Sequence, residues 1–375
     1  MKSQEKEKGK MNNINYKISF SCTHSIYRLS DRYDPNKERK EVVYMSNEKK
    51  FKPAGWGENV TPGTYGRLPY IKGIDELPDD VSLDYVIAGV PFDMLTSYRA
   101  GTRNGPRAIR RAYGTGSFHV EHDIEVFDNI DGADIGDFQM TVGDQKKCFE
   151  TITQEMSKIL AKNIVPIILG GDHAIAYPEL MAYKEKFGPV SMIHFDSHTD
   201  TWGSASDRPY PNHGSPFRWA IEDGCIDPKR SIQVGMRGMM SSEHDYDFAN
   251  EHGLKHILAV DMHHMGIKKT ADIIRETVGN NPVMVTFDID FVDPMFAPGT
   301  GTPVPGGFTS FETLELIRLA LTGLNTVGFD LVEVAPNYDP SEITELLASR
   351  IVHEFIALLA CKKAGITEYA YRGKE

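Results

Sequence analysis

Six side chains of the types that bind metal ions or move protons stand in three short motifs, each directly after an apolar run. They are His173 in GGDH, Asp196, His198 and Asp200 in FDSHTD, and Asp288 and Asp290 in FDIDFVDP. Alternate residues of an extended chain point to the same side. The second and third motifs are therefore predicted to gather several ligand-type side chains on one face.

An ordinary structural role explains only part of this pattern. Asp172, just before His173, fits the N-cap of a helix, and an Asp- and His-rich segment can be a solvated loop. Three such side chains converging after a buried strand, however, would repel one another unless a cation lay between them. Imidazole and carboxylate without thiolate favour Mn²⁺ and leave Ni²⁺, Co²⁺ and Zn²⁺ open. We therefore expect a pair of divalent ions.

Two further features carry weaker signals. The loop 293–307, DPMFAPGTGTPVPGG, lacks the lysine of a phosphate-binding loop, so we expect it to form a rigid segment beside the metals. For His119, His122 and the pair 263–264, placed in a loop after a strand, we expect surface or packing roles.

The elements that must position the motifs alternate between strands and helices. Apolar runs predict buried strands at 84–89, 164–169, 190–195, 231–235, 255–260, 282–287 and 326–333. Helical periodicity predicts helices at 105–113, 146–162, 174–186, 214–223, 241–252, 268–279, 309–323 and 341–363. This alternation implies a mostly parallel sheet covered on both faces, a three-layer α/β/α fold. Ligands of such sheets bind at the carboxyl ends of the strands, where the three motifs lie.

Composition narrows the class of protein. The chain has 375 residues and a net charge of −12, which argues against a nucleic-acid partner. Its four cysteines are far apart and predict neither a disulfide framework nor a thiolate zinc site. No apolar run is long enough to span a membrane, and the opening MKSQEKEKGK does not resemble a secretory signal. We expect a soluble, cytoplasmic protein.

The first part of the chain differs from the rest in composition. Residues 1–78 mix charge-dense and Pro/Gly-containing stretches and are predicted to be an N-terminal extension, an arm whose first 12 residues or so are disordered. Residues 79–367 are predicted to form the catalytic domain, and 368–375 a C-terminal tail.

The motifs together resemble the ureohydrolases, the arginase and agmatinase superfamily. GGDH, FDSHTD and FDIDFVDPMFAPGTGTPVPGG occur in the family's order, and the similarity runs from about residue 80 to 365. The segments 89–110, GVPFDMLTSYRAGTRNGPRAIR, and 330–339, DLVEVAPNYD, are similar to the agmatinase branch in particular.

The resemblance implies an arginase-like fold with two Mn²⁺ ions at the carboxyl ends of the strands. One ion would be bound by His173, Asp196, Asp200 and Asp288. The other would be bound by His198, Asp196, Asp288 and Asp290. Two such ions lower the pKa of a shared water for attack on the guanidinium carbon, and Asp200 would also orient that water.

Two more residues match catalytic positions of the family. His213 in NHGSPF corresponds to the histidine that gives a proton to the leaving amine. Glu333 in DLVEVAP corresponds to the carboxylate that pairs with the guanidinium. Taken alone, Glu333 would be read as an ordinary acid at the end of a strand.

The resemblance leaves the substrate open. Arginases carry an Asn two positions beyond the last Asp of the second motif, and here that position is Trp202, so arginase activity is disfavoured. Tyr98 stands where many agmatinases have a smaller residue, and with Trp202 it would shorten the pocket. Arg218 fits either a substrate carboxylate or an exposed helix position.

Agmatine is the first substrate we expect, with putrescine and urea as products. Guanidine, 4-guanidinobutyrate and 3-guanidinopropionate are alternatives, and formiminoglutamate hydrolysis or a non-catalytic subunit are remoter ones. Ni²⁺ is the alternative to Mn²⁺. Family analogy also predicts a homo-oligomer, a trimer or hexamer, without a membrane or nucleic-acid partner.

Overall fold

In the computed structural model, strands form at the apolar runs that precede the three polar motifs. The structure describes Pro53 and residues 63–112, 116–203 and 210–370. The strands in this part of the chain are β1 (Tyr85–Gly89), β2 (Phe118–His119), β3 (Ile124–Glu125), β4 (Gly132–Asp137), β5 (Val165–Leu169), β6 (Ser191–Phe195), β7 (Ile232–Met236), β8 (Lys255–Leu258), β9 (Val283–Asp288) and β10 (Thr326–Val332).

Eight of these strands form one parallel sheet in the order β4-β1-β5-β10-β9-β6-β7-β8. Because neighbouring strands are parallel, the chain must cross over between them, and it does so mostly through helices. β2 and β3 pair separately as a short antiparallel hairpin. The predicted three-layer α/β fold with a mostly parallel sheet is confirmed.

The helices connect these strands and cover both faces of the sheet. They are α1 (Gly105–Arg111), α2 (Val126–Asn129), α3 (Gln145–Ala161), α4 (Ala176–Phe187), α5 (Pro216–Glu222), α6 (Asp247–His252), α7 (Ala259–Met265), α8 (Ile267–Val278), α9 (Ser310–Leu321) and α10 (Ile343–Lys363). Local sequence sets some of their ends: the Thr309 hydroxyl accepts the backbone N–H of Glu312, and the Glu312 carboxylate accepts that of Thr309, which forms a capping box.

Alternation along the strands divides the core into two layers. In β1, Tyr85 and Ile87 belong to the same buried cluster as residues of α1, α8, α9 and α10, whereas Val86 and Ala88 belong to the cluster that includes residues of α3, α4 and α5. Because successive strand residues point to opposite faces, continuous apolar runs were needed to bury both sides of the sheet. None of the described helices is long and apolar enough to cross a membrane.

The predicted elements differ from the structure in several places; the helix predicted at 241–252, for example, begins at Asp247. The sheet has an additional edge strand, β4, whose sequence GADIGD offers few apolar residues to signal it. The strand predicted at 255–260 ends at Leu258, and α7 follows, so His263 and His264 lie on a helix and not in a loop. Ala259 and Met262, at helical spacing, are the buried residues that hold α7.

The described end of the N-terminal arm packs onto the domain. Tyr65 is buried, and its hydroxyl donates to the carbonyl of Ser349 on α10 at 2.6 Å. Leu68 and Ile74 are also buried, and Tyr70 pairs with Asp134 of β4. The first 12 residues lie outside the described part, and the boundaries 78/79 and 367/368 stay predictions.

Candidate metal centre

The three motifs meet because the strands that precede them are neighbours in the sheet. In the order β5-β10-β9-β6, His173 opens a short 3-10 helix after β5, Asp288 ends β9, and the segment 196–200 follows β6. Glu333 directly follows β10. All of these residues stand at the carboxyl edge, so one cleft collects side chains from distant parts of the chain.

The first group of ligand-type atoms surrounds His173, which is buried. Its Nδ1 lies 3.1 Å from Asp196 Oδ2, 2.9 Å from Asp200 Oδ2 and 3.4 Å from Asp288 Oδ2. This Nδ1 makes no hydrogen bond within the described residues. One imidazole nitrogen and three carboxylate oxygens thus face a common centre.

The second group lies on the other side of Asp196. His198 Nδ1 is 3.3 Å from Asp196 Oδ1 and 3.0 Å from Asp290 Oδ2. The two oxygens of Asp196 therefore face different groups. This arrangement suits a carboxylate that bridges two cations about 3.5–4 Å apart.

The charges of the site call for a cation. Burial, together with repulsion from Asp290 and Asp196, raises the pKa of Asp288 well above its usual range. Burial and the charge of Asp196 likewise raise the pKa of Asp200. Carboxylates that repel one another in a dry site are relieved by a divalent ion, so the donor set fits the expected metals, and it contains no thiolate.

Hydrogen bonds behind the cluster orient His173. Its Nε2 lies 2.8 Å from the hydroxyl of Thr286, which donates to Asp330 Oδ1 at 2.7 Å. With that donation, the Thr286 oxygen is left to accept the Nε2–H of His173. The lone pair of Nδ1 then points at the carboxylates, as metal ligation requires.

His194 is a site residue that the sequence analysis missed. Its Nδ1 accepts from the side-chain amide of Gln233 at 2.9 Å, and its Nε2 donates to Asp196 Oδ2 at 2.7 Å. His194 thus orients the shared carboxylate by hydrogen bonding and does not itself have a free nitrogen for a metal. Its position two residues before Asp196 on β6 was the available signal.

An acid–histidine pair stands beside the metal cluster. His213 Nδ1 lies 3.0 Å from Glu333 Oε1, which also accepts the backbone N–H of His173 at 3.0 Å. Glu333 Oε2 is buried and has no hydrogen-bond partner in the described residues. Glu333 has a φ of +62°, a strained conformation for a non-glycine residue that is typical of functional sites.

Electrostatics favour the charged form of His213. Burial opposes the imidazolium, but the hydrogen bond and charge of Glu333, with Asp200 and Asp172, outweigh it and raise the pKa of His213 to about 9. Asp172 is the predicted N-cap: its Oδ1 accepts the backbone N–H of Ala174 at 3.1 Å. Burial and repulsion from Glu333 raise the pKa of Asp172 to about 8.

The three residues predicted to line the substrate pocket have different surroundings in the structure. The Trp202 ring lies 5.9 Å from that of His198. Tyr98 is on the loop that follows β1 and is 69% exposed. Arg218 is hydrogen-bonded to Glu222 and stacks on Phe248 at 4.3 Å, so other side chains engage its guanidinium. A role for these three in substrate selection stays a prediction.

The loop 293–307 is held against the third motif, as expected of a rigid segment. Arg237, after β7, donates to the carbonyl of Asp290 at 2.6 Å and to that of Val304 at 2.8 Å. Asp293 accepts backbone N–H groups from the far end of the same loop. These bonds fix the loop beside Asp290.

His119 and His122 take no part in this centre. Both are buried, and their Nε2 atoms lie 3.0 and 3.6 Å from Glu354 Oε2. Arg318 donates to the same carboxylate at 2.6 Å. The expected packing role fits this ion-pair network.

The chain is similar to known proteins over most of its length. The sequence profile of the arginase family matches residues 83–358. Proclavaminate amidinohydrolase of Streptomyces clavuligerus is 39% identical over 301 residues, 80% of this chain and 95% of that protein. Its solved structure superposes with a TM-score of 0.75, covering 80% of this chain and 97% of that one.

Two further relatives differ in the activity that their names state. An agmatinase of Neisseria meningitidis serogroup C is 40% identical over 302 residues, 79% of this chain and 92% of that protein. Formimidoylglutamase of Bacillus subtilis is 26% identical, with a TM-score of 0.70 over 78% of this chain and 92% of that chain.

Proposed function

The chain belongs to the arginase family of metal-dependent hydrolases that act on C–N bonds, and we propose that it hydrolyses the guanidino group of a small cationic substrate to urea and an amine. The observation that carries the proposal is the free oxygen of Glu333. Oε2 is buried and unpartnered, while Oε1 is fully engaged. A buried carboxylate oxygen without a partner, next to the proposed metal ligands, favours the binding of a hydrogen-bond donor, and a guanidinium supplies a charged one.

The metal centre in this proposal uses the six predicted ligands. His173, Asp196, Asp200 and Asp288 would hold one divalent ion, and His198, Asp196, Asp288 and Asp290 the other. When bound, the ions supply Lewis-acid activation of a water for attack on the guanidinium carbon. Mn²⁺ is our first choice and Ni²⁺ the alternative, because carboxylate and imidazole accept both.

The protein's own groups then have separate tasks. Glu333 holds and orients the guanidinium, Asp200 orients the attacking water, and His213 gives a proton to the leaving nitrogen. A charged His213 is a competent acid because Glu333 keeps it protonated at neutral pH. Collapse toward urea without this proton would expel a strongly basic amide anion.

Agmatine is the first substrate that we propose, since relatives at about 40% identity are named agmatinases. Guanidine or a short guanidino acid such as 4-guanidinobutyrate is the second candidate, favoured by the bulk of Trp202 beside His198. The likeness to proclavaminate amidinohydrolase is also compatible with a carboxylate-bearing guanidino compound. By family analogy we also propose a homo-oligomer, a trimer or hexamer.

The test is urea release by the purified protein, loaded separately with Mn²⁺ and Ni²⁺. The substrates are agmatine, guanidine, 4-guanidinobutyrate, 3-guanidinopropionate and arginine. We expect urea from at least one of them, with agmatine preferred and arginine poor. His213→Ala should keep the metal content and lower turnover by roughly 10²-fold or more. Release of no urea from any of these compounds, with both metals bound, would overturn the proposal.

A further inference from the structure

Both ring nitrogens of His213 have defined partners in this structure. Nδ1 lies against Glu333 Oε1 at 3.0 Å. On the opposite side, Nε2 lies 2.8 Å from the hydroxyl of Ser97 and 3.0 Å from the backbone nitrogen of the same residue, whose N–H it accepts only when His213 is neutral. An amide N–H can donate but does not exchange its proton in a catalytic step. The Ser97 hydroxyl is therefore the group through which a proton can reach or leave Nε2.

The loop that carries Ser97 is built to hold this contact. Asp93, buried at its start, accepts the backbone N–H of Gly101 at 2.9 Å and pairs with Arg103, which closes the loop on itself. In the middle of the loop, the backbone N–H of Leu95 donates to Asp172 Oδ2 at 3.0 Å. The loop is thus anchored to Asp172, the residue before His173, and hydrogen bonds on both sides of Ser97 restrain its position.

Solvent exposure differs between His213 and Ser97. The His213 side chain is only 12% exposed, whereas Ser97 is an exposed residue. The hydroxyl therefore links the nearly buried imidazole to a residue that solvent can reach. A donor–acceptor hydroxyl in this position can pass a proton in either direction.

We propose that the Ser97 hydroxyl relays protons from water to Nε2 of His213, an inference that rests on the proposed amidinohydrolase function. In the forward step the imidazolium of His213 gives its Nε2 proton to the leaving nitrogen. The C–N bond breaks, and its electron pair stays on that nitrogen. Neutral His213 keeps its Nδ1–H on Glu333, the hydroxyl proton of Ser97 moves to Nε2, and a proton from water or buffer replaces it on Ser97 Oγ.

Ser97→Ala tests the relay because it deletes the hydroxyl and keeps the backbone N–H. We expect kcat to fall roughly 10- to 100-fold with KM and metal content close to the wild-type values. Small imidazole-type buffers should restore part of the lost rate in proportion to their concentration, and Ser97→Thr should retain most of it. Thr96→Ala, which removes the neighbouring hydroxyl of the loop, is the matched control and should behave as wild type.

Two results of the kinetic test would overturn the relay. One is a Ser97→Ala enzyme with wild-type kcat and no dependence on buffer concentration. The other is a Ser97→Ala enzyme whose loss of rate is matched by a loss of bound metal, since that would mark a structural role.

A second readout works without any substrate. Titration of the His213 imidazole by NMR should give a lower pKa in Ser97→Ala than in the wild type, because the acceptor of the Nε2–H is gone while the opposing N–H remains. A lowered pKa with no urea from any guanidino compound would remove only the proposed function. An unchanged titration would remove the relay, whether or not urea is released.

Discussion

The backbone N–H of His173 donates to Glu333 Oε1 at 3.0 Å, although 160 residues separate the two in the chain. This bond joins the turn that carries a proposed metal ligand to the carboxylate proposed to hold the guanidinium. Glu333 Oε1 thus accepts from His173 and contacts His213, whereas Oε2 has no hydrogen-bond partner in the described residues. In the proposed function, this main-chain bond would hold the guanidinium-binding carboxylate at a fixed place relative to His173.

Glu333→Gln keeps the size of the side chain and removes its charge. We expect kcat/KM for the preferred guanidino substrate to fall roughly 10- to 100-fold, since a hydrogen bond to a charged group contributes about 1.5–3 kcal/mol. The pKa of His213 should also fall, because Glu333 is the main group that raises it. The measurement is the pH profile of kcat/KM at constant metal content. A profile and rate equal to those of the wild type would rule out the assigned role.

Metal binding should stabilise the folded protein through the shared carboxylate. Mn²⁺ at about 100 times its Kd is expected to add about 2.7 kcal/mol to the free energy of unfolding, visible as a rise in Tm. Asp196→Asn should abolish most of this rise because Asp196 faces both groups of ligands. Asp272→Asn, at an exposed helix position, is the control. An undiminished rise in the Asp196 variant would contradict a bridging role.

Gly301 forms part of the space beside the free oxygen of Glu333. A Cβ added there would lie 3.5 Å from Glu333 Oε2 and 2.9 Å from the carbonyl oxygen of Arg99. Gly301→Ala should therefore raise KM for guanidino substrates several-fold, with bound metal unchanged. Gly116→Ala, where a Cβ would meet nothing within 4 Å, should leave KM as it is. Equal KM values in the two variants would place the guanidinium elsewhere.

Tyr98→Gly tests whether an aromatic ring at the mouth restricts substrate length. If Tyr98 shortens the pocket with Trp202, its removal should improve agmatine relative to guanidine. The measurement is the ratio of kcat/KM for the two substrates in wild type and variant. The ring is largely exposed in the structure, so an unchanged ratio would show that it stays out of the pocket.

His353 on α10 should make the protein sensitive to mild acid. Burial, with the charges of Arg350 and His119, lowers the pKa of His353 to about 3 from an ordinary value of 6.5. Above pH 6.5, His353 is largely neutral in both the folded and the unfolded protein. Between pH 6.5 and 3 only the unfolded chain takes up the proton, so the free energy of unfolding decreases as the pH falls. His353→Phe should lose roughly 2 kcal/mol less than wild type between pH 7 and 5.

Urea denaturation at the two pH values measures this difference. All other residues are the same in the two proteins, so the comparison isolates position 353. If wild type and variant lose the same stability, His353 is not held neutral in the fold.

The sequence alone predicted the layers of the fold and the proposed ligands. Apolar runs with ligand-type residues directly after them are local patterns, and a parallel sheet brings the carboxyl ends of its strands to one edge whatever the details of packing. For the same reason His173, Asp196 and Asp288 could be expected to meet before their distances were known. The edge strand β4 was missed because Ala133 and Ile135 are its only apolar side chains, and helix α7 was missed because its first residues, Ala259 and Val260, continue the apolar run of β8.

Only the tertiary structure decided which atoms face one another. His194 donates to Asp196, Glu333 keeps one oxygen free, and Ser97 reaches His213 across 116 residues. These contacts depend on side-chain direction, on a positive φ at Glu333 and on a loop closed by Asp93. No periodicity encodes them, because each arises from the packing of segments that are distant in the chain, and hydrogen-bond geometry is fixed only when those segments have met.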